Sequence, residues 1–152
     1  MASSRVSPVQ MKAWRSLLTA HAEIIERLGT ELEADVDLPL SWYEVLLSLT
    51  EAEAEHLRMH ELADSLLLSR SAATRFVDRM EKAGLVVRTS CPSDGRGTFV
   101  TLTAAGRETF GNAVPRHVQS ISDHFARHLT DDESRQLTAV MERLASAVRD
   151  QD

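Results

Sequence analysis

The sequence predicts a mainly α-helical protein with one small β-hairpin after its fourth helix. Three observations predict this. Apolar or aromatic residues recur at alternating three- and four-residue steps near both ends, at Met11, Trp14, Leu18, His21, Ile25, Leu28 and Leu32, and again at Phe110, Val114, Val118, Ile121, Phe125 and Leu129. Helix-start signals stand before these stripes and before the shorter ones between them. Two β-prone runs, 85–88 and 98–102, flank a stretch holding Pro92, Asp94, Gly95 and Gly97, which is dense turn chemistry.

Each element follows from local signals. Ser7, Pro8 and Gln10 give a cap, a first-turn proline and the return partner of a capping box, so a long helix is expected over 8–32. Leu38-Pro39 closes the following connection. Ser41 and Glu44 form a second expected box, with Leu40 and Val45 as a hydrophobic staple, for a helix running to about residue 50. The polar stretch 51–58 reads as a helix end and a loop. Leu62, Ala63 and Leu66 give a short helix, and 67–69 a tight connection. Ser69 caps a fourth helix over 69–82, with Ala73, Phe76, Val77 and Met80 inward and Gly84 just past its end. Thr103 begins a fifth helix expected over 104–128. Pro115 within it lacks an amide donor and crowds the Gly111 carbonyl, which predicts a kink. Thr130 and Glu133 box the start of a last helix over 131–149, with Leu137, Val140, Met141, Leu144 and Val148 inward.

A chain of 152 residues, 43% of them hydrophobic, suits one packed domain with helical extensions. No stretch approaches the roughly 20 apolar residues that span a bilayer. The beginning has no apolar core of a secretory signal. The single cysteine, Cys91, excludes an intramolecular disulfide and fits a reducing compartment, so a cytoplasmic location is expected. The chain has no Gly-rich phosphate loop, nucleophile elbow or metalloprotease motif, so no catalytic residues, no cofactor and no enzymatic activity are expected.

A net charge of −6 argues at first against nucleic acid. Its distribution reverses that. Residues 1–58 carry five basic and ten acidic side chains, residues 59–98 six and five, and residues 99–152 six and eight. Only the middle stretch escapes the acidic excess, and a phosphate-binding face needs local positive charge only. Within it, a pair of short helices joined by a tight turn can present the second to the major groove, N-terminal residues towards base edges. The outward residues of that second helix suit this. Ser69, Arg70, Ser71, Thr74 and Arg75 supply hydroxyls and guanidinium groups, and Arg79 further along can hold the backbone or pair with Asp78 or Glu81. Taken alone, such a face is the ordinary solvated side of an amphipathic helix. The hairpin adds the second reader: Arg96 at a flexible tip, braced by Asp94, can enter the minor groove.

The run LAxxLxLSRSxxTRxVDRxExxGLVxR (Leu62 to Arg88), the PSDGRG tip (Pro92 to Gly97) and the LTxxG that follows (Leu102 to Gly106) resemble the MarR family of winged helix-turn-helix regulators. The resemblance implies a winged helix-turn-helix domain plus a helical dimerisation domain drawn from both termini. The corresponding division is 1–38, 39–103 and 104–152, the outer segments dimerising and the middle one binding DNA. It further implies a homodimer on a pseudo-palindromic double-stranded operator, usually as a repressor, released in many members by a small, often aromatic or phenolic, effector. His60 stands where a Ser or Thr cap is commoner.

Other readings attach to particular residues. Trp14, Trp42 and Tyr43 suit core and dimer packing. Alternatively these three wall an effector pocket in which Arg15, His21 and His117 meet an anionic ligand. His56 with His60, and His124 with His128, are four apart and would share a helix face able to bind zinc, although neither pair has an evident third ligand. Cys91 near Arg88 offers a redox-responsive alternative. A protein-interaction module is a further alternative, against which the exposed set Arg70, Arg75 and Arg96 speaks.

Overall fold

A computed structural model describes residues 6–66, 68–90 and 97–149. The chain order is α1 (Pro8–Val36), α2 (Leu40–Glu51), a 3-10 turn (Glu53–Glu55), β1 (His56–Arg58), α3 (Met59–Ser65), α4 (Arg70–Lys82), β2 (Val86–Ser90), β3 (Thr98–Leu102), α5 (Ala104–His124), a 3-10 turn (Ala126–His128) and α6 (Asp131–Arg149). Two compact units divide the chain: 28–118, and 1–27 with 119–152. The architecture is the expected mainly helical one, with a three-stranded sheet in place of a simple hairpin.

Two capping boxes form as the sequence predicts. The Ser7 amide donates to Gln10 Oε1 at 2.9 Å and the Gln10 amide to Ser7 Oγ at 3.2 Å. The Thr130 amide donates to Glu133 Oε2 at 2.8 Å and the Glu133 amide to Thr130 Oγ1 at 3.3 Å. These bonds hold the Glu133 carboxyl below its ordinary pKa, the Thr130 amide contributing most. The Ser41–Glu44 box does not form. Pro39, at φ −57° and ψ 138°, stands at the cap position, and its carbonyl accepts the Trp42 and Tyr43 amides at 2.9 and 3.1 Å. The helix therefore starts two residues early, and Ser41 falls inside the first turn, where it cannot cap. Arg58 likewise precedes α3, its amide donating to Glu61 Oε2 at 2.7 Å, so His60 lies within the helix rather than at its cap.

Three further expectations are corrected. α1 continues past residue 32 to Val36 and ends where Asp37 turns left-handed at φ 54°. α5 runs through Pro115 but stops at His124, short of 128, because Phe125 leaves helical geometry at φ −134°. Residues 56–58, read as loop, form β1, which pairs His56, Leu57 and Arg58 with Thr101, Val100 and Phe99, giving the strand order β1-β3-β2. Ala54 and Glu55, both left-handed at φ 56° and 54°, turn the chain into it. Arg107 holds that turn, its Nε donating to Glu55 Oε1 at 3.0 Å and its Nη2 to the other oxygen.

The core of the 28–118 unit sets α4. Ala73, Val77 and Met80 are buried, the last two in one cluster with Val45, Leu46 and Leu49 of α2 and Val86 and Val100 of the sheet. α4 ends in a paired turn: the Gly84 amide donates to Glu81 O at 2.9 Å and the Leu85 amide to Met80 O at 3.0 Å, with Gly84 at φ 77°. Thr103 caps α5, its Oγ1 accepting the Gly106 amide at 2.9 Å while lying 2.7 and 2.9 Å from the Gly84 and Leu85 carbonyls. In the other unit the inward face expected of α6 is not covered within one chain. Leu137 and Met141 are half-buried, but Val140, Leu144 and Val148 remain 38%, 49% and 68% exposed.

Two glycines of α5 give opposite expectations. A Cβ on Gly106 would meet Leu85 O at 2.1 Å, whereas one on Gly111 meets nothing within 4 Å. Gly106→Ala should lower stability by about 3 kcal/mol, the upper end for overpacking against backbone. Gly111→Ala should raise it by about 0.5–1 kcal/mol through helix propensity. Denaturant unfolding of both variants checks this.

Candidate nucleic-acid interface

α4 is amphipathic in a specific sense: one face is locked into the core and the other carries no apolar burden. Ser69, Arg70, Ser71, Thr74, Arg75 and Arg79 are all exposed, so the structure brings these six residues to the solvent side of one 13-residue helix and its cap. Ser69 Oγ accepts the Ala72 amide at 3.3 Å and lies 3.3 Å from Ser71 Oγ. Thr74 Oγ1 donates to Arg70 O at 2.9 Å, leaving its lone pairs outward. The first-turn amides beyond the Ser69 bond face the same end, where the helix dipole favours anions.

The residue that sequence reasoning missed is Arg88. From β2 it reaches back to α4, with Nη2 2.7 Å from Asp78 Oδ1 and 3.1 Å from Thr74 O, and Nη1 2.6 Å from Glu81 Oε2. Its amide donates to Glu81 Oε1 at 2.8 Å. Glu81 therefore grips one residue by main chain and side chain together. This holds its carboxyl below the ordinary value of 4.5, the amide bond contributing most. Asp78 and Glu81 are thus bound to Arg88, and the expected pairing of either with Arg79 is corrected. Arg79 instead lies over the Phe76 ring, 5.3 Å from its centroid. The signal was present in the spacing of Asp78, Glu81 and Arg88, but only the turn at Gly84 brings them together.

Comparison with protein families matches residues 36–97 to the MarR family. Over the whole chain, the MarR family regulator AbsC of Streptomyces coelicolor is 32% identical, covering 97% of this chain and 99% of its own, with a TM-score of 0.90. Sco3205, a MarR family regulator of the same organism solved in complex with DNA, is 32% identical over 95% of this chain and 94% of its own, with a TM-score of 0.88. The chain belongs to the MarR family. Among curated relatives, the HTH-type transcriptional regulator MhqR of Bacillus subtilis is 28% identical over 86 residues, 57% of this chain, and the match spans only 59% of that relative's length. MarR family membership makes this a DNA-binding transcriptional regulator and not an enzyme.

Asp94, Arg96 and Cys91 lie outside the described residues. Of the effector candidates, Trp14, Arg15 and His21 are exposed on α1 in one compact unit, and Trp42 and His117 belong to the other. His21 lines an apolar groove of about 560 Å³ with α1, Phe125, Leu137 and Met141. The His117 ring lies 4.4 Å from that of Tyr43, which in turn lies 5.2 Å from Phe110. Burial lowers the His117 pKa, so the ring is neutral at pH 7, and it raises that of Tyr43, with a smaller effect from Glu51. The histidine pairs do not share helix faces: His56 is on β1 and His60 on α3, while His124 ends α5 and His128 lies in the following turn. Among the described residues no three His, Cys, Asp or Glu side chains converge to hold a metal ion, and no helix is long and apolar enough to cross a membrane.

The clasp predicts a pH signature. A carboxylate with a depressed folded pKa contributes stability that is present above its ordinary value and lost as pH falls through the folded one. Glu81→Gln should therefore lower the Tm at pH 7 and flatten the fall of Tm that the unaltered protein shows below about pH 4.5. Calorimetric scans of both proteins across that range check it; parallel curves would show that Glu81 is not held by Arg88 in solution.

Proposed function

We propose that this chain works as a homodimer that reads a pseudo-palindromic duplex operator with one α4 from each protomer and represses transcription there. The observation that carries the reading is the outward face of α4, rich in arginine and hydroxyl groups on a helix fixed from behind by core and clasp. Arg75 and Arg70 suit paired hydrogen bonds to guanine O6 and N7. Ser69, Ser71 and Thr74 suit phosphate oxygens and base edges, and Arg79 the backbone. Asp94 and Arg96 at the wing tip would serve the flanking minor groove. The DNA complex of the 32% identical Sco3205 supports the partner.

The dimer rests on the outer segments, 1–38 and 104–152, around a DNA-binding middle. Leu17, Leu18 and Ile25 of α1 and Val140, Leu144 and Val148 of α6 are exposed large apolar side chains, the kind of surface that an association interface covers. A second copy covers such stripes with the two-fold symmetry that a palindromic site demands. Release by a small effector belongs to the same reading, with Trp14, Arg15, His21, Trp42 and His117 as its candidate contacts. An aromatic or phenolic ligand suits His117, whose buried Nδ1 has no hydrogen-bond partner among the described residues. Such a ligand acts only through its differential affinity for the DNA-competent and incompetent dimers.

Selection of bound duplexes from a random library, repeated at several salt concentrations, tests the reading. It should return a near-palindrome with half-sites about 34 Å apart and a steep salt slope. Arg75→Ala should weaken binding to that site by about 1–3 kcal/mol and relax base preference at one position per half-site; an unchanged sequence logo would remove Arg75 from base readout. A chain ending before Thr130 should sediment as a monomer, and a persistent dimer would show that α6 is dispensable for association.

A further inference from the structure

The inward stripe of α5 ends, in the 28–118 unit, on a titratable side chain. Phe110, Ala113, Val114 and His117 fall at the three- and four-residue steps of one helix face. Ala113 is fully buried in the core cluster, and Phe110 and Val114 pack against it. His117 takes the next place in that stripe, its ring 4.4 Å from that of Tyr43 on α2, itself 5% exposed. The His117 Nδ1 is buried with no hydrogen-bond partner among the described residues. A neutral ring can leave that nitrogen unprotonated. A protonated ring would place a charged donor there with no acceptor, which burial makes costly.

Among the described residues no carboxylate acts on that ring, and burial is the sole cause of its lowered pKa. The titratable group facing it from α2 is Tyr43, kept neutral by its own burial, with Glu51 adding to that effect. Arg116, beside His117 on α5, is exposed. The helix is also weak just before this contact. Pro115 has no amide to give the Gly111 carbonyl, and Gly111 has no side chain although a Cβ there would meet nothing within 4 Å. The turn from Gly111 to Pro115 therefore holds less of the helix's own stiffness, and the packing of His117 on Tyr43 fixes the chain just beyond it.

We propose that the contact of His117 with Tyr43 is an acid-released strap: the neutral ring holds α5 against α2, and the protonated ring lets go, so that the joint at Gly111 and Pro115 yields. The inference rests on the DNA reading above and deepens its regulation, because the ring offered there to an effector responds to a proton with no effector bound. α5 passes after residue 118 into the segments on which the proposed dimer rests. A loosened α5 holds each α4 less firmly at the spacing of the two half-sites, so acid weakens the operator complex. By linkage, a buried neutral His takes up its proton less readily than an exposed one. The strap is therefore complete above about pH 6.5 and loses stability as pH falls below it.

The test uses the full chain without effector, beside His117→Phe, which keeps a ring and cannot take a proton, and Pro115→Ala, which returns an amide to the Gly111 carbonyl. Nuclear resonance titration of the unaltered protein should place the His117 ring below its ordinary value of 6.5. Its Tm should fall between about pH 6.5 and 5.5, a window above that of Glu81, and its affinity for the selected duplex should fall there by up to about tenfold per protomer. His117→Phe should show neither fall. Pro115→Ala should keep the ring titration and lose most of the fall in affinity, because its helix no longer depends on the strap. Equal affinity profiles for the unaltered protein and His117→Phe, or a ring that titrates at or above its ordinary value, overturn the strap. A Pro115→Ala profile identical to that of the unaltered protein overturns the joint and the proposal with it. Should no duplex bind at any pH, the DNA reading fails, and the ring titration and the Tm of His117→Phe still decide the strap.

Discussion

The side chain of Thr103 stands where three pieces of chain meet, and the direction of α4 depends on that meeting. Its hydroxyl reaches the Gly84 and Leu85 carbonyls at 2.7 and 2.9 Å and accepts the Gly106 amide at 2.9 Å. The Thr103 amide itself donates to Leu85 O at 3.2 Å. One residue therefore closes the end of α4, the start of β2 and the first turn of α5. Gly106 makes the approach possible, since any Cβ there would collide with the Leu85 carbonyl. A cap of this kind contributes about 1 kcal/mol in stability. Its larger consequence is geometric: α4 cannot rotate without breaking the cap of α5, so the exposed arginines are aimed by the same bonds that hold the fold.

Electrostatics on α4 requires a second device. Asp78 and Glu81 share the helix with Arg75 and Arg79 and, unpaired, would repel a phosphate backbone. Arg88 pairs with both at 2.7 and 2.6 Å, so one of their two negative charges is offset and both carboxylates are tied to β2. The surface ion pairs themselves contribute little to stability. They separate the acid needed to attach α4 to β2 from the cations left to solvent. An acidic chain thereby presents a basic face, and the acidic remainder limits non-specific attraction to nucleic acid.

What the sequence made legible follows from how local each signal is. The Ser7–Gln10 and Thr130–Glu133 boxes close within three residues, as does the Ser69 cap, and each is visible in the chain and present in the fold. Ser41 and Glu44 have the same pattern, but Pro39 already supplies an entry angle and a carbonyl, and the pattern goes unused. β1 was illegible because three residues, none of them β-branched, become a strand only when Thr101, Val100 and Phe99 arrive from about forty residues on. The exposed arginine and hydroxyl face from Ser69 to Arg79 was legible because those residues lie on one helix and its cap, whereas the proposed effector contacts come from helices far apart in sequence. The two histidine pairs failed for the opposite reason, since helical spacing has no force once a strand or a helix end falls between the partners.

The two compact units differ in how their helices are sustained. The 28–118 unit buries a continuous cluster that includes residues of α2, α4 and the sheet. α6 has 19 residues and none of them buried within one chain. Most helical stability in proteins comes from packing an apolar face. The apolar stripe of α6, still exposed at Val140, Leu144 and Val148, is such a face without its packing. On the dimer we propose, association and the ordering of α6 are one process, and the apparent stability of that unit rises with protein concentration while that of the winged unit does not. A ligand that alters the packing of these helices would then act on the spacing of two rigid readers, without having to deform either of them.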